Sequence, residues 1–241
     1  MRSFSVVLLA FFISCQSVKI DDKNYHVSGS TTEIGSIGLT ESFYPKNIFE
    51  TRVLPRLENK IRVDIKIVPF TKRLYGLYYK KGKNNQNQAT IHYVDSLPKK
   101  PELVTISILD VVGFIDEINA DYNATTLAYL KTVKKAKVIT SIATTLSGDQ
   151  MAKIAQADTY YIANNQDKKY TLVLYKSNKK TEVIDLQSGI VIGYELGKCC
   201  WATDRKGQWF LADINKNNES CKGDSYTTIT EKKAATNLYK M

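Results

Sequence analysis

The chain has 241 residues, of which 43% are hydrophobic and 24% are charged, and this composition is ordinary for a globular protein. Its formal net charge is +10. Because the lysines are scattered along the chain, we expect most of this charge to lie on a solvated surface, and an anionic lipid or a glycan is a candidate partner. We expect no nucleic-acid partner, because the leader described next predicts export and an exported protein rarely meets nucleic acid. With only two histidines and no Cys-x-x-Cys pair, we expect neither a metal nor a cofactor.

The chain begins with an apolar leader. Arg2 and the amino terminus supply positive charge, and the following residues Phe4–Ile13 are apolar except for Ser5. A membrane-spanning helix needs roughly 20 apolar residues, whereas this run has the shorter length of a signal-peptide h-region. The leader therefore predicts export, and the alternative is a buried N-terminal element.

The end of the leader, Phe12-Ile13-Ser14-Cys15, resembles a bacterial lipoprotein signal, in which an aliphatic and two small or aliphatic residues precede a cysteine. The resemblance implies a signal peptide over residues 1–14 and an N-terminal diacylglyceryl anchor on Cys15. Gln16 follows where an aspartate would resemble an inner-membrane retention signal, which favours the outer membrane, on either its periplasmic or its surface face. The alternative is an ordinary secreted protein. Residues 15–24 are polar and predict a flexible tether.

Residues 25–100 predict an α+β segment. The hydrophobic spacing in Pro45–Lys60 favours a helix, and the strict alternation of Ile61–Ile67 predicts a strand with one buried face. We expect Leu74–Lys80 to be the partner of that strand and residues 89–94 to form another.

One short motif in this segment is a candidate modification site. Asp95-Ser96-Leu97 resembles the Asp-Ser/Thr-aliphatic O-glycosylation signal of some Gram-negative bacteria. The resemblance makes Ser96 a candidate glycosylation site.

Residues 101–224 predict α/β units that run into an antiparallel β meander, with 225–241 as a polar tail. Strand and helix patterns alternate up to about residue 160, which predicts a parallel strand pair. Short strands joined by short turns follow from Thr159, as in a meander. The expected fold class is therefore α+β, a mixed N-terminal α/β part followed by the meander. This segment forms either one domain with 25–100 or a separate one.

Three cysteines follow Cys15, namely Cys199, Cys200 and Cys221. Export places them in an oxidising compartment, where disulfides persist. Adjacent residues of a strand face opposite sides, so only one of Cys199 and Cys200 is expected to point toward Cys221. The sequence predicts one bridge and one free thiol, and it leaves the connectivity open.

The remaining candidate site residues are acidic or aromatic. Asp110 and Asp116 are the acids of a hydrolase hypothesis, although an aspartate at position 110 suits a helix cap better. Exposed aromatic residues can stack on sugars or bind a protein, and the last predicted hairpin contains Trp201, Trp209 and Phe210.

No nucleotide loop, metal motif or nucleophile elbow is present in the sequence. We therefore expect a non-enzymatic, lipid-anchored lipoprotein that acts as a binding or scaffold component of an outer-membrane protein complex. The alternatives are a cell-surface glycan-binding lipoprotein and, less favoured, an envelope hydrolase.

Overall fold

A computed structural model describes residues 17–28, 32–43, 46–82, 91–96, 98–133, 135–165, 168–216 and 220–229. The strands are β1 (Ser17–Ile20), β2 (Lys23–Val27), β3 (Ile37–Phe43), β4 (Lys46–Val53), β5 (Ile61–Pro69), β6 (Glu102–Ile108), β7 (Lys137–Thr144), β8 (Thr159–Asn164), β9 (Tyr170–Lys176), β10 (Lys179–Asp185), β11 (Val191–Thr203) and β12 (Trp209–Asn215). The helices are α1 (Lys72–Gly82), α2 (Val111–Asn119), α3 (Ala124–Thr132) and α4 (Gly148–Gln156), with 3-10 turns at Asp121–Asn123 and Leu186–Ser188.

All twelve strands belong to one sheet, in the order β1-β2-β11-β7-β6-β5-β8-β9-β10, with β12 added to β11 and the β3–β4 hairpin added to β7. Every strand pair in it is antiparallel. The predicted α+β fold class is therefore wrong, because the described part of the chain is mostly antiparallel sheet, 44% strand and 24% helix, with four short helices.

The predicted parallel pair is also wrong, since β6 and β7 are antiparallel neighbours although two helices connect them. The meander prediction is correct for β8, β9 and β10, which pair in chain order, and for the last hairpin, in which β11 pairs with β12. Strand β11 leaves the first group, however, and also pairs with β7 and β2. Strand–helix alternation indicates the length of a connection but does not determine which edge of the sheet the next strand joins.

Two local predictions in the first half of the chain are wrong, since a predicted helix contains a strand and a predicted strand is a helix. The segment predicted as a helix contains β4, whose Phe49 is buried and which pairs along its length with β3. The predicted strand at Leu74–Lys80 is α1, in which Leu74 and Tyr78 are buried four residues apart, as on one face of a helix. The tyrosines favoured a strand by propensity, and the tertiary packing overrode that preference.

The predicted tether at residues 15–24 is largely ordered, because β1 and the beginning of β2 lie within it. Val18 and Ile20 are each 2% exposed and alternate with the exposed Ser17 and Lys19. This alternation has only four residues, which is too short to distinguish from a polar linker in the sequence.

The sheet curls strongly. Lys66 of β5 donates a hydrogen bond of 2.7 Å to Asp21 in the β1–β2 turn, although β11, β7 and β6 lie between β2 and β5. A flat sheet would separate β2 and β5 by ~19 Å, which no lysine side chain can span. Curling also lets Tyr25 of β2 reach Ser141 of β7, with 2.9 Å between their hydroxyl oxygens.

Two groups of buried side chains hold the helices on the sheet. The larger core joins α2, α3 and α4 to the central strands through Phe114, Ile118, Leu130 and Ile154. The smaller core joins α1 to the first hairpin through Leu74, Tyr78, Val18, Ile20 and Tyr25. Within the described residues, each helix is too short or too polar to span a bilayer.

The large core predicts a clear contrast between two isoleucines. Ile106 in β6 is fully buried, whereas Ile67 in β5 is 38% exposed. Ile106→Ala is expected to lower the free energy of unfolding by about 3 kcal/mol, because it leaves a cavity. Ile67→Ala is expected to cost less than about 1 kcal/mol. Urea unfolding followed by circular dichroism measures both values, and equal losses would contradict this packing.

Candidate functional site

An open cleft of about 330 Å³ lies between the end of α2 and α3 on one side and the β11–β12 hairpin on the other. Its volume is within the usual range for small-ligand sites. The lining residues are Asn119, Ala120, Asp121, Ala124, Leu127, Ala128, Lys131, Asp204, Gln208, Trp209 and Phe210.

The helical wall of the cleft is fixed by Asn119, the last residue of α2. Its Nδ2 donates to the carbonyl of Leu211 at 2.8 Å, and its Oδ1 accepts from the amide of Leu211 at 3.0 Å. This pair of hydrogen bonds occupies both ends of the side-chain amide and ties α2 to β12. Phe114 and Ile118 of the same helix are fully buried in the core, and they hold this wall in place from its inner side.

The turn of the β11–β12 hairpin forms the rim of the cleft. Asp204 accepts hydrogen bonds of 2.8 Å from the backbone amides of Lys206 and Gln208. Gly207 has a φ of +77°, a conformation that favours glycine. The turn is therefore ordered by its own hydrogen bonds and holds Asp204 and Gln208 at the cleft.

The aromatic wall consists of Trp209, which is half-buried, and Phe210, which is 37% exposed. The edge of Tyr226 packs against Trp209, with ring centroids 6.1 Å apart and an interplanar angle of 78°. Tyr226 in turn exchanges two backbone hydrogen bonds of 2.8 Å with Trp201 of β11. The indole of Trp209 therefore packs against a tyrosine whose backbone is hydrogen-bonded to β11.

A disulfide between Cys200 and Cys221 attaches the segment that contains Tyr226 to β11. One of the two predicted connectivities is thus realised. Cys199, the third candidate, is a free and fully buried thiol, and burial raises its pKa to about 12. At neutral pH it is protonated, so it behaves as a core residue and not as a nucleophile.

The cleft combines apolar ring faces with charged and polar groups. The residues that line it include the aromatic Trp209 and Phe210, the acidic Asp121 and Asp204, and the basic Lys131. Ring faces pack against C–H surfaces, and carboxylates accept hydrogen bonds from hydroxyl groups. This arrangement suits a ligand that has both an apolar face and several hydroxyls.

The two acids of the hydrolase hypothesis lie on α2. Asp110 is its N-cap, and its Oδ1 accepts from the amide of Gly113 at 2.8 Å, as the cap interpretation predicted. Asp116 is exposed on the same helix. Among the residues that the structure describes, no group of three or more histidine, cysteine or acidic side chains could hold a metal ion.

The other two predicted modification sites remain predictions. Cys15 lies outside the described residues. Ser96 lies in an exposed turn, next to Asp95, which accepts a hydrogen bond from the hydroxyl of Tyr93. Exposure is a requirement for glycosylation, and Ser96 meets it.

The tyrosines that were expected on a strand form an aromatic cluster on α1. Tyr75 stacks on Tyr93 with ring centroids 5.2 Å apart and lies 6.3 Å from the ring of Tyr79. Tyr79 is 54% exposed. The cluster is part of a second exposed surface, away from the residues that line the cleft.

Sequence reasoning identified Trp209 and Phe210 as candidate binding residues but missed Asp121, Lys131 and Asp204. Nothing in the local sequence marks those three, because they become neighbours only when α2 packs on β12. Comparisons with protein-family models, curated protein sequences and solved structures found no match.

The disulfide is expected to stabilise the protein by about 3 kcal/mol, since a bridge restricts the unfolded chain over the loop that it closes, here a separation of 21 residues. Changing both Cys200 and Cys221 to serine should lower the free energy of unfolding by that amount. Denaturant unfolding without reductant measures it. As a control, dithiothreitol should destabilise the wild type equally and leave the double variant unchanged. A variant as stable as the oxidised wild type would show that the bridge is dispensable.

Proposed function

We propose that this protein is a lipoprotein of the bacterial outer membrane, acylated on Cys15, which acts by binding and not by catalysis. The N-terminal pattern Phe12-Ile13-Ser14-Cys15 supports the anchor. A thiolate is the nucleophile that can accept a diacylglyceryl group, and two or more acyl chains are needed for stable anchoring. Tethering to a membrane raises the effective concentration of the body for a partner on that membrane.

The observation that carries the binding role is the cleft with its aromatic wall. Trp209 is held in place by Tyr226 and by the backbone of β12, and the facing helix is fixed through Asn119. Pre-organised aromatic residues bind with little loss of side-chain entropy. The site is therefore built to receive a ligand without rearrangement.

A glycan is the ligand that the cleft fits best. Sugar rings have C–H faces that stack on aromatic rings such as the indole of Trp209, and they have hydroxyls that donate to carboxylates such as that of Asp121. Glycans are also available at an outer membrane, where an exported protein would meet them. The protein would bind a short stretch of an envelope polysaccharide while it remains attached through Cys15.

A scaffold role in an outer-membrane protein complex is the second candidate. Leu109, which precedes the N-cap of α2, is 54% exposed, and Val112 in the first turn of α2 is 70% exposed. Exposed large apolar side chains of this kind can take part in protein contacts. For the hydrolase alternative the support is weaker, because the carboxylate of Asp110 already caps α2.

The anchor predicts a defined mass for the mature N-terminus. When the protein is expressed in a Gram-negative host, the N-terminal peptide is expected to begin at Cys15 and to contain a diacylglyceryl group. The Cys15→Ser variant should lack this group and leave the membrane fraction. Mass spectrometry of the N-terminal peptide decides the question, and cleavage at another position would mean ordinary secretion.

The cleft predicts a loss of glycan binding in Trp209→Ala. Titration calorimetry with the oligosaccharide of lipopolysaccharide and with peptidoglycan fragments is expected to show binding by the wild type. The variant should bind about tenfold more weakly or worse, as expected when an aromatic anchor is removed. Tyr129→Ala is the matched control, because Tyr129 is 38% exposed on α3 but does not line the cleft. If the wild type binds neither ligand, the glycan proposal fails, and pull-down of membrane proteins would then test the scaffold role.

A further inference from the structure

Ser17, the first residue that the structure describes, begins β1, and in the sequence only Gln16 separates it from Cys15. Two residues of extended chain span at most ~7 Å. The next residues are firmly attached, since Val18 and Ile20 are each 2% exposed. If Cys15 is acylated, Ser17 lies about one Debye length, ~8 Å at physiological salt, from the lipid headgroups. The body therefore cannot stand away from the membrane.

Helix α1 lies beside this attachment point. The guanidinium of Arg73 donates a hydrogen bond of 2.7 Å to the carbonyl of Ser17. On its inner side, α1 buries Leu74 and Tyr78 in the small core, together with Val18 of β1. The opposite side of α1 is therefore exposed next to the anchor.

The exposed side of α1 is basic. The helix contains four basic residues and no acidic residue. Lys72, Arg73 and Lys80 are exposed, whereas Lys81 is partly buried and donates to the carbonyl of Val191 at 2.7 Å. Positive charge within a Debye length of an anionic leaflet is attracted to its phosphates.

The same side of α1 is also aromatic. Tyr79 is 54% exposed, and Tyr75 is stacked on Tyr93. Tyrosine has an apolar ring and a polar hydroxyl, and it is enriched at the headgroup level of membranes for that reason. Basic residues and aromatic rings on one helix face are typical of a surface that lies on a membrane.

The acidic residues of the first hairpin are paired with lysines. Asp21 accepts from Lys66 at 2.7 Å, and Asp22 lies 2.8 Å from Lys19. Asp95, near the tyrosine cluster, accepts from Tyr93. The lysines partly offset the charges of Asp21 and Asp22, whereas the neutral phenol of Tyr93 leaves the charge of Asp95 in place. The four basic residues of α1 outnumber this one acid, so the surface along α1 is net positive.

We infer that the outer face of α1, formed by Lys72, Arg73, Tyr75, Tyr79 and Lys80, lies flat on the phosphate headgroups of the membrane that anchors Cys15. This inference rests on the proposed acylation. It adds that the anchor and α1 together fix one orientation of the body on the membrane.

The orientation can be read from labelled, acylated protein reconstituted into vesicles. A nitrobenzoxadiazole label on Tyr79→Cys is expected to shift to the blue and to be quenched by lipids with a spin label on the headgroup. The same label on Lys179→Cys, an exposed residue of β10 outside the proposed contact surface, should do neither. Equal behaviour of the two labels would overturn the inference. Mass spectrometry of the same sample reports acylation, so failure of the anchor is seen separately.

The charge contribution can be tested without the anchor. The mature full-length chain with Cys15→Ser is mixed with phosphatidylcholine vesicles that contain phosphatidylglycerol, and the bound fraction is measured by sedimentation. Adding Lys72→Glu and Lys80→Glu is expected to lower the partition coefficient by roughly tenfold or more. Lys179→Glu with Lys180→Glu changes the net charge equally and should have little effect. If both pairs weaken binding alike, attraction depends on net charge alone and α1 is not the contact surface.

Discussion

Strand β11 is bonded along both of its edges, and the rest of the structure depends on this pairing. One edge of β11 pairs with β7, and the other pairs first with β2 and then with β12. Buried backbone groups must find hydrogen-bond partners, so the 13-residue length of β11 determines where both hairpins attach. The pairing of β11 shifts register at three places, and such shifts are typical of bulges that increase local twist. The shifts lie between Val191 and Gly193, between Glu195 and Leu196, and between Cys200 and Trp201. They agree with the curl that brings Lys66 to Asp21.

The two exposed surfaces of functional interest both attach to this strand. The first half of β11 holds β2 and through it β1, next to the position from which Cys15 would reach a membrane. The second half holds β12, whose Trp209 forms the cleft, and it carries Cys200 of the disulfide. A body that is fixed on a membrane through β1 and α1 would hold its cleft in a constant orientation. Such an arrangement suits a protein that binds a surface polymer, since each encounter then starts from the same geometry.

The sequence predicted best where the signal was local and strong. The alternation of Ile61–Ile67 correctly predicted β5, and Asp110 caps α2 as expected. The prediction failed where neighbours distant in the chain decide the structure. Phe49 is in a strand because β3 pairs with β4, and Tyr78 is in a helix on which its ring packs against Phe70 in the small core.

The sequence by itself determined the basic charge, the apolar leader before Cys15, and the expectation of one disulfide and one free thiol among Cys199, Cys200 and Cys221. These properties follow from composition, from short patterns and from the alternation of a strand. Only the tertiary structure decided that the bonded residue is Cys200, that Trp209 faces Asp121 and Lys131 across a cleft, and that α1 lies beside Ser17. Each of these depends on contacts between residues far apart in the chain, and local sequence patterns carry no information on which strands will meet.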